Sequence, residues 1–200
     1  MIEKKYELVM SDSKEWRGKT LYRIRALKDF SIFKKGDFKK GDFGGYIESE
    51  KNLSQKGNSW VSDNALVSGN ALVSGNAWVS GNARVSGNAL VSGNAWVFGN
   101  ARVYYDAIVS GDARVSSNAW ISGNALVSGD ARVSGNAWVF GNARVSGNAR
   151  ISCDALVYED ALVSGNAWVL GNARVLGDAL VSDNTLVSGN ARISGNRETI

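Results

Sequence analysis

The chain has 200 residues, enough for one or two domains, but it contains 23 Gly, no Pro, no His and a single Cys. Glycine this frequent without proline excludes collagen, and a hydrophobic content of 44% excludes a disordered linker. The formal net charge of +4 is mild and comes largely from N-terminal lysines, so charge alone does not predict a nucleic-acid partner.

The first residues, Met1–Tyr6, lack the apolar run of a secretory signal. No stretch of 18 consecutive apolar residues occurs, so no membrane helix and no membrane contact are expected. The lone Cys153 excludes an intramolecular disulfide framework. These features are typical of a cytoplasmic protein, and a virion-associated protein would also fit them.

Residues 1–58 form an N-terminal segment with its own pattern. Lys5–Met10 and Thr20–Ala26 alternate like strands and predict a β-hairpin, with the polar Ser11–Lys19 as its loop. The motif Lys-Lys-Gly-Asp-Phe then occurs at 34–38 and again at 39–43. Its four lysines suggest an anionic partner, but a short duplication in a solvated loop explains them as well.

From Ser59 to Asn196 the chain repeats Ala-x-Val-Ser-Gly-Asn 23 times without insertion or deletion. Within Ala-x-Val, the first and third side chains lie on one face of a short strand and x on the other. Ser-Gly-Asn provides a turn, because Gly and Asn tolerate positive φ. A helix is excluded, since Gly-Asn in every unit would interrupt it.

Three units would close one triangular coil of about 18 residues, as in other parallel β-helices with a six-residue repeat. The pattern therefore predicts an all-β parallel solenoid of seven to eight coils over residues 59–196. A tail at 197–200 follows. The last coil is expected to be shielded either by charge and fraying or by another subunit, because a terminal coil exposes its core.

Every third unit falls on the same face of the coil, which sorts the x side chains into three outward rows. One row is almost entirely aliphatic, and a soluble monomer rarely exposes such a continuous stripe. We therefore predict an interface with another subunit, with the alternative that leucine simply suits an exposed strand. The candidate interface residues are Leu72, Leu90, Ile108, Leu126, Leu162 and Leu180.

The other two rows combine aromatic and basic residues. Such surfaces bind sugars or single-stranded nucleic acid, although aromatic stacking and Arg–Trp neighbours also stabilise a sheet surface by themselves. The candidate ligand-facing residues are Trp60, Trp78, Trp96, Arg114, Arg132 and Arg150 in one row, and Trp120 and Trp138 in the other.

The unit Val-Ser-Gly-Asn-Ala-x resembles the hexapeptide repeat of left-handed parallel β-helix proteins. Leu21–Phe30 and Gly44–Glu48 further resemble the N-terminal segment of the YdcK-like family, whose members are often labelled transferases. The resemblance spans nearly the whole chain. It implies a left-handed coil and an N-terminal cap in which Phe43, Tyr46 and Ile47 cover the valine stack.

The residues do not support the transferase label. Acyltransferases that share this solenoid use a His base and a loop between coils, whereas this chain has no His and an uninterrupted repeat. Asp106 and the other aspartates in the Asn position are interpreted as turn residues, and Cys153 has no adjacent base. No catalytic residue, metal ligand or cofactor is therefore predicted.

The expected function is that of a non-catalytic rigid rod that self-associates or binds a protein partner through its flat faces. Two alternatives stay open. One is an acyltransferase-like protein without activity, and the other is a glycan-binding or adhesive module that uses the Trp rows.

Overall fold

The computed structural model describes residues 4–32 and 36–195. Within these ranges the chain is all-β apart from one 3-10 turn, Glu50–Asn52. Lys34 and Lys35 of the duplicated motif, and the predicted tail at 197–200, lie outside the described residues. No helix in the described part of the chain is long and apolar enough to cross a membrane.

Five strands precede the repeat and pair antiparallel with one another. The first hairpin joins β1 and β2, the second joins β3 and β4, and β5 pairs with β2. These strands are β1 (Tyr6–Trp16), β2 (Lys19–Ala26), β3 (Phe30–Ile32), β4 (Gly36–Phe38) and β5 (Phe43–Ile47).

The first hairpin is confirmed, but its predicted loop is wrong. Residues 11–16 continue β1, and only Arg17 and Gly18 turn the chain, both with positive φ. A bulge between Val9 and Ser13 accounts for the error, because it shifts the register and breaks the apolar alternation of a continuous strand.

The repeat forms 23 short strands, β6–β28, one for each six-residue unit. Each begins at an x residue, and the valine or isoleucine after it points inward. Sheet I contains β6 (Trp60–Val61), β9 (Trp78–Val79), β12 (Trp96–Val97), β15 (Arg114–Val115), β18 (Arg132–Val133), β21 (Arg150–Ile151), β24 (Trp168–Val169) and β27 (Leu186–Val187).

Sheets II and III complete the triangle. Sheet II continues the pairing of β1, β2 and β5 with β7 (Leu66–Val67), β10 (Arg84–Val85), β13 (Arg102–Val103), β16 (Trp120–Ile121), β19 (Trp138–Val139), β22 (Leu156–Val157), β25 (Arg174–Gly177) and β28 (Arg192–Gly195). Sheet III contains β8 (Leu72–Val73), β11 (Leu90–Val91), β14 (Ile108–Val109), β17 (Leu126–Val127), β20 (Arg144–Val145), β23 (Leu162–Val163) and β26 (Leu180–Val181).

Backbone hydrogen bonds tie each coil to the next. The Trp120 N–H donates to the Ala137 carbonyl at 2.9 Å, and the same pattern recurs along the rod. Inside, every valine or isoleucine in the third position of the repeat unit, from Val61 to Val175, is fully buried. The parallel β-solenoid with three units in each coil is thus confirmed. Each coil contributes one strand to sheet I, whose eight strands therefore correspond to eight coils.

The parallel register begins before the repeat does. Tyr46 and Ile47 of β5 pair in parallel with Leu66 and Val67, and Leu53 bridges to Val73. Ile47 and Leu53 are fully buried and therefore extend the valine stack by part of a coil. The domain boundary at residue 58 stays a prediction, although the core continues on its N-terminal side.

Phe43, Tyr46 and Ile47 were expected to cover the valine stack, and only Ile47 does so. Ile47 lies in the core, but Tyr46 packs with Leu21 in a separate small cluster, and Phe43 is 52% exposed. The alternation of β5 explains this, because Tyr46 occupies an outward x position and Ile47 the inward one. Tyr6 joins Ile47 in the core instead.

The turn at Gly129 tests how closely the coils approach. Its φ is 65°, and a Cβ there would lie 3.0 Å from backbone atoms of Gly147 in the next coil. Gly129→Val should lower the unfolding free energy by about 1–3 kcal/mol, because a β-branched residue disfavours left-handed backbone. Ser117 occupies the equivalent turn position with φ 59°, so Ser117→Gly should not destabilise the protein. Equal losses in urea titrations followed by circular dichroism would contradict this account.

Lys5 should make stability rise with pH. Its buried ammonium donates to the Ser59 carbonyl at 2.8 Å, and burial, with a smaller contribution from the charge of Lys28, lowers its pKa to about 8. Because lysine in an unfolded chain has a pKa of about 10.4, the unfolded state binds more protons between about pH 8 and pH 10. The unfolding free energy should therefore increase over this range, and Lys5→Met should remove the increase.

Urea unfolding at about pH 7.5 and pH 9.5 measures the effect. Burial also raises the pKa of Tyr6, which lowers stability as the pH approaches 10, and Lys5→Met keeps this contribution unchanged. Identical pH dependence in the wild type and Lys5→Met would show that Lys5 is not responsible.

Candidate functional site

The outward row of sheet I begins under the cap. Trp60 is fully buried, with its ring centre 5.1 Å from that of Phe30 and 5.7 Å from that of Phe38. The prediction that Trp60 faces a ligand is therefore wrong. The second hairpin, which has no repeat pattern to indicate its position, folds over the first strand of the sheet.

The next indoles of this row contact each other. Trp78 and Trp96 stack with ring centres 5.1 Å apart and an interplanar angle of 12°. The Trp78 Nε1–H also donates to Ser62 Oγ at 2.8 Å. Because their flat faces are turned towards neighbouring rings, little of each face remains for a sugar, and the stack stabilises the sheet surface.

Each strand of a sheet, with its outward x side chain, forms one rung of that sheet. Three consecutive rungs of sheet I carry arginine. Arg114, Arg132 and Arg150 pair in register on adjacent strands and are exposed. The Arg114 guanidinium lies 5.9 Å from the Trp96 ring centre, and that of Arg150 lies 4.8 Å from the Trp168 ring centre. The structure thus brings the predicted basic residues together between two aromatic rungs, where cation–π contacts hold the two outer ones.

Sheet II carries the second aromatic cluster. Trp120 and Trp138 lie 4.9 Å apart at an angle of 57°, and Tyr104 meets Trp120 edge-on. Trp138 is 44% exposed and is the more accessible of the two predicted indoles. The rows in the sequence therefore predicted correctly that Trp120 and Trp138 are neighbours, but they did not indicate the contact of Trp120 with the turn residue Tyr104.

An open groove of about 450 Å³ lies on sheet II beside the first hairpin. The Lys14 ammonium stands 4.1 Å from the Tyr46 ring centre and donates to Asn64 Oδ1 at 3.2 Å. Sequence reasoning missed this groove, because Lys14 belongs to the segment that was predicted as a loop. The groove is lined by Lys14, Asn64, Leu66, Asn82, Arg84 and Asn100.

Sheet III presents the aliphatic face, defined by its seven x residues from Leu72 to Leu180. Its strands pair in register, so the six predicted interface residues lie in one row that only Arg144 interrupts. Ile108 is 37% and Leu180 62% exposed, and the other four are half-buried. The structure therefore brings together the whole predicted set.

The two hairpins pack on the other sheets. Phe38 of the second hairpin contacts Trp60 and Trp78 of sheet I, and Leu21 of the first packs with Leu66 of sheet II. Within residues 4–32 and 36–195, the aliphatic face is consequently the one whose outward row lacks a hairpin against it.

Ladders of carboxamides run along the corners beside this face. Asn70 donates to Asn88 at 3.1 Å, and Asn88 donates to Asp106 at 2.8 Å. On the opposite corner, Asn94 donates to Asp112 at 3.0 Å. An ionised aspartate accepts but cannot donate, so each carboxylate ends its ladder. The aspartates are turn residues, as interpreted, and also place negative charge at defined rungs.

The described residues offer little for metal or thiol chemistry. Residues 4–32 and 36–195 contain no group of three or more His, Cys, Asp or Glu side chains that could hold a metal ion. Cys153 is exposed in a turn with φ 63°, and its Sγ lies 3.9 Å from Ser152 Oγ. Asp106 and Asp112 take part in ladders rather than in a cluster.

Comparison with known families gives one match. A family model described as the YdcK beta solenoid repeat matches residues 61–75, 65–81, 83–98, 119–135, 125–141 and 143–159. No curated protein is significantly similar to the chain in sequence. The matched segments all lie in the stacked coils, whose parallel sheets are those of a β-solenoid. Residues 61–159 therefore carry the β-solenoid repeat of the YdcK family, in agreement with the resemblance seen in the sequence.

Proposed function

We propose that the chain is a non-catalytic interaction protein, a rigid rod that binds a second copy of itself through the aliphatic face. The observation that carries this proposal is the row of six aliphatic side chains on sheet III, which no hairpin covers in the described part of the chain. An apolar stripe of this length is unusual on a monomer and is typical of an association surface.

Burial of these side chains would supply the driving force. Full burial of one leucine or isoleucine contributes about 1.5–3 kcal/mol, and the six residues are only partly buried in the single chain. The backbone beneath them is already fixed by hydrogen bonds to both neighbouring coils. Association would therefore order few additional groups, which favours affinity.

A second copy matches this surface in shape. The rungs follow one another at about 4.8 Å, the spacing of paired strands, and the strands of sheet III pair in register, so the x side chains form one regular row. An identical row repeats the same spacing, so side chains of one copy can interdigitate with those of the other along the whole face. Closed two-fold pairs of this kind are the commonest oligomers.

The lack of His supports the non-catalytic part of the proposal. Acyl transfer on this scaffold needs a general base whose pKa lies near neutrality, and histidine is the usual one. The chain has none, and the strands follow each other every six residues from β6 to β28. Consumption of an acyl donor by the purified protein would contradict this part of the proposal and favour the transferase alternative.

A single charge in the middle of the face should abolish self-association. Leu126→Lys would bury an unpaired ammonium at the interface and raise the dissociation constant by about tenfold or more. Leu156→Lys is the matched control, because Leu156 is an equally half-buried x residue on sheet II. Sedimentation equilibrium from micromolar to submillimolar concentration distinguishes the variants.

The proposal fails if the wild type is a monomer over this range, or if both lysine variants dissociate equally. A glycan-array signal that Trp138→Ala removes and Leu126→Lys leaves unchanged would favour the glycan-binding alternative instead.

A further inference from the structure

We infer that the two rods pack antiparallel about a two-fold axis at Leu126, so that Arg144 of each rod meets the rung of Ile108 on the other. This inference rests on the proposed self-association and specifies its partner surface, direction and register.

Arg144 is the residue that makes the register specific. It is exposed, and it lies in sheet III between Leu126 and Leu162. Among the described residues, its guanidinium forms no ion pair. A guanidinium buried against leucine without a counter-charge is strongly unfavourable, so a stable interface must set a carboxylate against it.

The rung of Ile108 carries such carboxylates. Asp106 lies two residues before Ile108 and Asp112 four residues after it, and both are exposed. Each accepts one ladder hydrogen bond at Oδ1, which leaves Oδ2 to accept from a second copy. On the aliphatic face this is the one rung with aspartate in the Asn position of both turns. The rung of Leu180 also has an aspartate at each corner, Asp178 and Asp183, but an antiparallel pairing of Arg144 with that rung overlaps only three of the seven rungs.

A two-fold axis can place Arg144 of one copy against the carboxylates beside Ile108 of the other. The face has seven rungs from β8 to β26, and β17 with Leu126 is the central one. An axis along β17 overlaps all seven rungs and sets Arg144 opposite Ile108 twice, once at each side of the centre. The remaining pairs are leucine on leucine: Leu126 with its own copy, Leu90 with Leu162, and Leu72 with Leu180.

Other arrangements are less favourable. Parallel rods in register would set Arg144 against Arg144, and like charges in an interface are repulsive. An antiparallel shift by one rung sets Arg144 against the rung of Leu90, with two asparagines, or that of Leu126, with Asp130 alone. Either shift also uncovers one rung, so the axis at Leu126 gives both the largest overlap and the best charge pairing.

Charge reversal tests this register. Arg144→Glu sets like charges together and should raise the dissociation constant by about tenfold or more, and so should the double variant Asp106→Arg/Asp112→Arg. An equimolar mixture of the two variants should recover wild-type affinity, because both junctions of the mixed dimer are then complementary. Arg132→Glu on sheet I is the matched control and should leave association unchanged.

A milder pair protects the test against misfolding. Asp106→Asn with Asp112→Asn installs the residue that most turns of the repeat already carry, so the ladders are kept while the charges are removed. These variants should keep the wild-type circular dichroism spectrum and still weaken association.

Recovery in the mixture, measured by sedimentation equilibrium, supports the antiparallel register. If the wild type dimerises and Leu126→Lys dissociates it, but the charge variants do not weaken association or do not recover on mixing, the register is overturned while the proposed function stands. If the wild type is a monomer, both fail.

Discussion

The structure depends on one constraint: each residue of the repeat lies directly beside the equivalent residue three units further along the chain. Backbone hydrogen bonds fix this register from coil to coil, as between the Trp120 N–H and the Ala137 carbonyl at 2.9 Å. The buried valines stack because of it, and so do the asparagine ladders. The three outward rows follow from the same constraint, since it places each side chain at x beside its counterparts one coil away.

The sequence predicts these features because the information is local and repeated. A valine in every unit specifies the inward face, and Gly-Asn specifies the turn, so the rows of Leu126 and Arg132 follow without knowledge of other contacts. The N-terminal segment has no such period. The bulge in β1 and the second hairpin over Trp60 depend on tertiary packing, which a residue pattern does not encode, and there the predictions were wrong.

The aliphatic face, too, was only partly predictable from the sequence. The six aliphatic residues were found from their spacing alone, and the structure brings them into one row. The sequence could not indicate that this row lacks a hairpin, because the positions of Phe38 and Leu21 on the other sheets become evident only in three dimensions. The meaning of Asp106 and Asp112 was likewise hidden, since each is an ordinary turn residue until its rung is compared with that of Arg144.

Disulfide cross-linking tests most directly whether each residue of the repeat lies beside the equivalent residue three units further along the chain. In a Cys153→Gly background, Arg114→Cys with Arg132→Cys places two thiols at paired positions on adjacent strands of sheet I, within the Cα separation that a disulfide spans. Arg114→Cys with Arg102→Cys places them on different sheets, although these two positions are closer in sequence. Mild oxidation of the folded protein should cross-link the first pair within one chain and leave the second reduced. Preferential cross-linking of the second pair, or equal yields from both, would contradict it.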